Sequence, residues 1–150
     1  MEHWKSALEE MVIEASFWEG KKVIITGHTG FKGGWLSLQL QSLGVDILGI
    51  GLRPNGELNL YDQASVFSDM ESIIEDIRNR DNIKNIFKNF NPDIVFHLAA
   101  QPLVRDSYMN PVETYEVNVI GTLNVLEAMR GIPNLKAGVM ITTDKCYENL

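Results

Sequence analysis

Eight consecutive residues, Thr26-Gly27-His28-Thr29-Gly30-Phe31-Lys32-Gly33, carry the clearest chemistry in the chain. Glycines leave backbone N–H groups unshielded. At the start of a helix those groups lack intrahelical partners and carry the positive end of the helix dipole. The ligand such a loop suits is a pyrophosphate. Gly27 would supply the tight turn, Gly30 the close approach of the ligand, and Gly33 the close packing of helix on strand. A merely flexible loop is the plain alternative. The flanking residues argue against it: Val23-Ile24-Ile25-Thr26 reads as a buried strand, and Leu36, Leu40 and Leu43 mark one face of a following helix.

Such a loop needs a sheet to hold it, and strands alternate with helices from Lys21 onward. Gly44 stands where a helix C-terminal cap belongs. Val45 to Leu52 reads as a second strand, broken by Arg53-Pro54-Asn55-Gly56. Residues 57–70 are weakly patterned, with a short helix expected near Ala64. Ile73-Ile74 centre a third strand ending at Asp76, and Ile83, Ile86, Phe87 and Phe90 form a helix face closed by Asn91-Pro92. Ile94-Val95-Phe96 is the fourth strand and Val139-Met140-Ile141 the fifth. Between them a long helix after Pro111 is expected to turn Tyr115, Val119, Leu123 and Leu126 inward.

The alternation implies an α/β fold of Rossmann type, a doubly wound parallel sheet with right-handed crossovers. The expected strand order is 3-2-1-4-5, with the ligand crevice at the carboxyl ends of strands 1 and 4. Residues 17–150 would form this domain. Residues 1–16 stand apart as a helical extension, with Trp4, Leu8, Met11 and Val12 at helical spacing among acidic residues.

Composition narrows the partners. The chain has 150 residues, 45% of them hydrophobic, which suits one domain with a real core. A net charge of −7 argues against non-specific binding to nucleic acid or anionic membranes. One cysteine, Cys146, excludes an internal disulfide framework and fits a reducing compartment. No apolar run reaches the roughly 18 residues of a membrane span. With no signal-peptide layout either, the cytoplasm is the expected location. No metal site is read from the sequence.

The glycines follow a G-x-x-G-x-x-G spacing, and in this form the chain resembles the extended short-chain dehydrogenase/reductases, the NAD-dependent epimerases and dehydratases. The phrases FWEGKKV, TGHTGFKG, AAQPLVRDSY, ETYEVNV and TTDKCY more narrowly resemble the CDP-glucose branch of the sugar-nucleotide 4,6-dehydratases. The resemblance covers residues 17–150 and not 1–16.

What the resemblance implies is specific. The cofactor would be NAD, held by the glycine loop from Gly27 through His28, Thr29, Gly30, Phe31 and Lys32 to Gly33. Asp76 and Ile77 would contact adenine. Leu98, Ala99, Ala100 and Gln101, after His97, would line the crevice near the nicotinamide ribose. Asn118 would be architectural. Thr143-Asp144-Lys145 aligns with the Thr-Asp-Glu of related dehydratases. Thr143 would bond the sugar C4 oxygen and Asp144 would protonate the departing C6 hydroxyl. Lys145 would serve as the C5 base only if neutral, which requires a pKa far below about 10.4. Alternatively it stabilises the enolate and the base lies elsewhere. Arg105 and Ser107 would approach the substrate, CDP-glucose. The resemblance also implies a homodimer for the full-length enzyme and a place in making deoxysugars for lipopolysaccharide.

Two features depart from the pattern. NAD-using relatives place an acid at the end of strand 2. Here the strand ends at Leu52-Arg53, and Arg53 with His28 and Lys32 leaves NADP open. Nor does any Tyr-x-x-x-Lys occur, since Tyr61, Tyr108, Tyr115 and Tyr147 all lack a lysine four residues on. The chain is therefore expected to be the cofactor-binding part of a longer enzyme and inactive by itself.

Overall fold

A computed structural model describes residues 14–54, 56 and 58–143. The expected helix of residues 1–16 falls almost wholly outside them, as do Asp144 and Lys145. Five parallel strands form one sheet in the order β3-β2-β1-β4-β5. They are β1 (Lys22–Thr26), β2 (Asp46–Gly51), β3 (Glu71–Ile74), β4 (Ile94–His97) and β5 (Ala137–Met140). β1 is central, pairing Ile25 with Gly49 of β2 on one side and with Phe96 of β4 on the other.

Side chains alternate across a strand, so β1 feeds two cores. Ile24 joins Leu48, Ile50 and Val95 on one face, covered by Ile83 and Phe87 of α4 (Arg80–Phe90) and by Val125 of α7 (Thr122–Arg130). Val23 and Ile25 join Ile47 and Ile94 on the other, beneath Leu40 of α2 (Phe31–Ser42), with Trp18 of α1 (Ala15–Trp18) at the margin. The expected stops are present. Gly44 takes φ +72°. Its N–H donates to the Gln41 carbonyl while that of Val45 donates to Leu40. Together these two bonds close the helix in a left-handed C-terminal cap. Asn91 ends α4 at φ +53°.

The expected short helix is α3 (Leu60–Gln63), followed by a 3₁₀ turn at Val66–Asp69. Beyond β4 come α5 (Val104–Met109) and α6 (Pro111–Tyr115), which passes through a π-helical turn at Glu116–Gly121 into α7.

This last helix turns the opposite way from its apolar spacing. Tyr115 is 70% exposed, Val119 51%, Leu123 52% and Leu126 42%. The buried side is Gly121, Asn124, Val125 and Ala128. The reason is close approach. A Cβ at Gly121 would lie 2.6 Å from Ile77 Cδ1. Three residues on, the Asn124 amide donates to the carbonyls of Ile77 and Arg78 at 3.1 Å. Small and hydrogen-bonding residues let the helix sit against the end of β3, and the large apolar residues face outward.

Candidate cofactor-binding crevice

The strands all end on one side, and there the loops after β1, β2, β3, β4 and β5 enclose a crevice of about 490 Å³. That volume suits a nucleotide-sized ligand. The glycine loop forms one wall, with Gly27, Thr29, Gly30, Phe31, Lys32 and Gly33 lining it. Gly27 takes φ +80°, and its N–H donates to the Ile50 carbonyl at 2.7 Å. Its missing side chain is needed: a Cβ would meet Ala99 N at 2.7 Å. A Cβ at Gly33 would lie 2.7 Å from the Gly27 carbonyl carbon, inside contact distance of its oxygen too. Gly30 differs. Its Cβ would meet only the Gly27 oxygen, at 3.3 Å, so its open side faces the crevice. No side chain caps α2 at Gly30. The first-turn N–H groups of Phe31, Lys32 and Gly33 thus form an anion site. This cradle, which side chains would fill, fits a dinucleotide pyrophosphate.

From the opposite wall come Asp76 and Ile77 after β3, and Leu98, Ala99 and Ala100 after β4. Asp76 is engaged. Its Oδ1 accepts the Arg78 N–H at 2.8 Å, and its Oδ2 accepts from Arg78 Nη2 at 2.6 Å and Nε at 2.9 Å. The Arg78 bond holds the Asp76 carboxyl below its ordinary value. Arg78 Nη1 also lies 3.5 Å from Glu116 and 3.7 Å from Glu113. Past β5, Ile141 and Thr142 complete the rim, and Thr143 is exposed beside them.

Three residues grouped with the cofactor by sequence lie elsewhere. Gln101 is not among the lining residues. Its backbone N–H donates to Asn118 Oδ1 at 2.8 Å, and its carbonyl accepts from Asn118 Nδ2 at 3.0 Å. Asn118 is thus the architectural residue expected, with Gln101 as its partner. Arg53 is exposed beyond β2 and also outside the lining. His28 is fully buried. Its Nε2 pairs with Ser72 Oγ at 2.7 Å, Ser72 pairs with Tyr61 Oη at 2.7 Å, and burial lowers its pKa. A neutral ring turned away from the crevice adds no positive charge to it, which corrects the grouping of His28 with Arg53 and Lys32. Arg105 is exposed on α5, and Ser107 Oγ donates to the Val104 carbonyl at 2.7 Å; neither lines the crevice.

His28 fits because β2 has glycine beneath it. A Cβ at Gly49 would lie 2.5 Å from both His28 Cδ2 and Met70 Cε. Gly49→Ala should therefore overpack the strand and cost about 1–3 kcal/mol. A urea unfolding series checks this, and a variant as stable as the parent would show that the ring moves aside freely.

His97 is the second buried histidine. Its Nδ1 lies 2.6 Å from Thr26 Oγ1 and its Nε2 lies 2.9 Å from Thr122 Oγ1. Thr26 Oγ1 already accepts the N–H groups of Leu98 and Ala99 at 3.2 Å, so its proton goes to Nδ1. Thr122 donates to the Asn118 carbonyl at 2.8 Å, so it accepts from Nε2–H. The ring is neutral with its proton on Nε2, and burial lowers its pKa to about 4. Among the lining residues, sequence reasoning missed Pro102, Val117, Ile141 and Thr142, and also Gly51, Leu52 and Glu75. The signal of the last three was position alone, at the ends of β2 and β3.

The family described as GDP-mannose 4,6 dehydratase matches residues 24–148, which takes in most of β1, all of β2 to β5 and every lining residue of the crevice. The chain belongs to that family. A CDP-glucose 4,6-dehydratase of Salmonella typhimurium is 49% identical over 138 residues, covering 92% of this chain and 38% of that enzyme. A CDP-paratose 2-epimerase of Salmonella typhi is 34% identical over 130 residues, covering 86% of the chain and 38% of the relative. The chain thus spans well under half the length of these curated relatives. Among solved structures, the epimerase Mth375 of Methanothermobacter thermautotrophicus superposes with a TM-score of 0.75 at 27% identity, over 91% of this chain and 39% of that one. The UDP-glucose 4-epimerase of Thermus thermophilus, solved as a complex with NAD, gives 0.65 at 31% identity over 74% and 35%. Family and crevice agree on a Rossmann-type fold of the kind found in these dehydratase and epimerase relatives.

Proposed function

We propose that the chain is the cofactor-binding part of a CDP-glucose 4,6-dehydratase, holding NAD across the crevice and presenting Thr143, Asp144 and Lys145 to the sugar. The observation that carries the reading is the uncapped α2 start behind Gly27, Gly30 and Gly33, in a chain 49% identical to such an enzyme. The first-turn amides would hold the pyrophosphate, and Asp76 with Ile77 would flank the adenine. Ala99 and Ala100 would let the nicotinamide ribose pass close to the backbone. When bound, the nicotinamide supplies a hydride acceptor that returns the hydride later in the same turnover.

The chain's own residues act on the sugar. Thr143 would donate to the C4 oxygen, and Asp144 would give its proton to the C6 hydroxyl as water leaves. Lys145 would take the C5 proton if neutral, or steady the enolate if charged. Arg105 and Ser107, on α5, would approach the sugar and its pyrophosphate. No Tyr-x-x-x-Lys within these residues supplies a base for the C4 hydroxyl. Without that base there is no C4 oxidation, and without a 4-ketone the C5 hydrogen is not acidic. The 150 residues alone are therefore expected to bind NAD only weakly and not to turn over CDP-glucose.

A homodimer is the expected assembly. The outward strip of Val112, Tyr115, Val119, Ile120 and Leu123 supports it, because that much adjoining apolar surface favours burial against a second copy. No helix among the described residues is long and apolar enough to cross a membrane. The cytoplasm is the proposed site of action, with lipopolysaccharide deoxysugars as the product's destination.

The test uses CDP-, dTDP- and GDP-glucose with an enzyme carrying this sequence and its family's substrate-binding part. A 4-keto-6-deoxy product from CDP-glucose in preference to the others is expected. Preference for another nucleotide, or epimerisation without loss of water, would overturn the assignment. Clear product from the 150-residue chain by itself would mean that an acid–base set lies within it.

A further inference from the structure

Among the described residues, the end of β2 offers the crevice no acid. Gly51 has no side chain, Leu52 is apolar and Arg53 lies outside the lining. The next strand does. Glu75 follows β3, its N–H donates to the Gly51 carbonyl at 3.0 Å, and it lines the crevice beside Gly51 and Leu52. We propose that Glu75 is the residue that selects NAD over NADP, replacing from β3 the carboxylate that β2 lacks. The proposal rests on the reading of the crevice as a nicotinamide-dinucleotide site.

Two observations make Glu75 fit for this and its neighbours unfit. First, its carboxylate is fixed but not neutralised. Oε1 accepts the Asp76 N–H at 2.8 Å and Oε2 accepts from Asn82 Nδ2 at 2.6 Å. Both donors are uncharged, and among the described residues no cation stands within ion-pair distance of Glu75. A carboxylate oxygen has lone pairs to spare after one such bond, so it can still accept from a ribose hydroxyl. Its unbalanced charge would repel a 2′-phosphate.

Second, the cations nearby are engaged or belong to the opposite wall of the crevice. Arg78 is shared among Asp76, Glu113 and Glu116, so it cannot turn to a phosphate without abandoning three acids. Lys32 belongs to the glycine loop at the end of β1, and β2 lies between β1 and β3 in the sheet. Asp76 is neutralised by Arg78, which leaves Glu75 as the charge a 2′-substituent would meet.

The measurement is calorimetric titration of the 150-residue chain with NAD+ and with NADP+, for the parent, Glu75→Gln and Glu75→Asp. The parent should bind NAD+ the more tightly. Glu75→Gln should shrink that preference by roughly tenfold, as expected for removing one close charge of the same sign. Glu75→Asp, which keeps the charge, should retain most of it, separating selection from a general loss of shape. Circular dichroism confirms that each variant is folded. An unchanged preference in folded Glu75→Gln would overturn the proposal, as would a parent that prefers NADP+. A parent that binds neither dinucleotide would overturn the nicotinamide reading itself, and the proposal with it.

Discussion

Gly33→Ala should weaken NAD binding by roughly 100-fold or more, the scale expected when a preset geometry is displaced by about an ångström. The new methyl cannot be accommodated by rotating a side chain, because its neighbours are backbone. It would sit 2.7 Å from the Gly27 carbonyl carbon and 2.9 Å from His28 Cα. Either the loop or α2 must move, and both carry the amides that would face the pyrophosphate. Gly30→Ala makes the informative comparison. Its methyl would meet only the Gly27 oxygen at 3.3 Å, so the fold should survive while the ligand's approach narrows. Calorimetry should then rank the affinities parent, Gly30→Ala, Gly33→Ala, with only the last losing thermal stability. Equal affinity across all three would remove the glycine loop from the binding site.

Much of this arrangement was legible in the residues, for a physical reason. Buried parallel strands such as Val23-Ile24-Ile25 are short apolar runs, and the turns between elements need glycine or asparagine at positive φ, as at Gly44 and Asn91. These constraints are local, so local patterns reveal them. What was hidden depends on distant contacts. The helix after Pro111 shows an apolar stripe through Tyr115, Val119 and Leu123, yet the buried face is Gly121, Asn124 and Ala128. Nothing in the stripe reveals that Ile77 stands too close for a Cβ at position 121. His28 shows the same limit from the other side. It lies inside the glycine motif, and only Gly49 and Ser72, 21 and 44 residues onward, show that its ring turns into the protein. Glu75 escaped notice because a lone acid at a strand end acquires meaning only when the strand beside it lacks one.

Stability should fall steeply as pH drops from about 6.5 to about 4, the interval between the ordinary and the folded pKa of His97. The sign follows from where the proton goes. Above this window the imidazole is neutral in both folded and unfolded chains, and pH has no effect through it. Within the window the unfolded chain takes up a proton that the folded chain refuses, because Nδ1 is occupied by the Thr26 hydroxyl proton and burial penalises the charge. Each pH unit then costs up to about 1.4 kcal/mol, or ~3 kcal/mol over the whole window. His28 is lowered by burial as well and adds loss of the same sign. The carboxylates do not compete here. Asp76 and Asp93 are held below their ordinary value of 3.8 by Arg78 and Lys136, so the stability they contribute is present above 3.8 and disappears only as pH falls further. His97→Gln isolates the effect. Its amide oxygen can accept from Thr26 and its NH2 can donate to Thr122, but it cannot titrate. The variant should be less stable than the parent at pH 8, by about 1–3 kcal/mol for imperfect hydrogen bonds, and should lose distinctly less on acidification. Urea unfolding followed by circular dichroism from pH 8 to 4.5 measures both slopes. Parallel slopes for parent and variant would show that His97 accepts its proton as readily folded as unfolded.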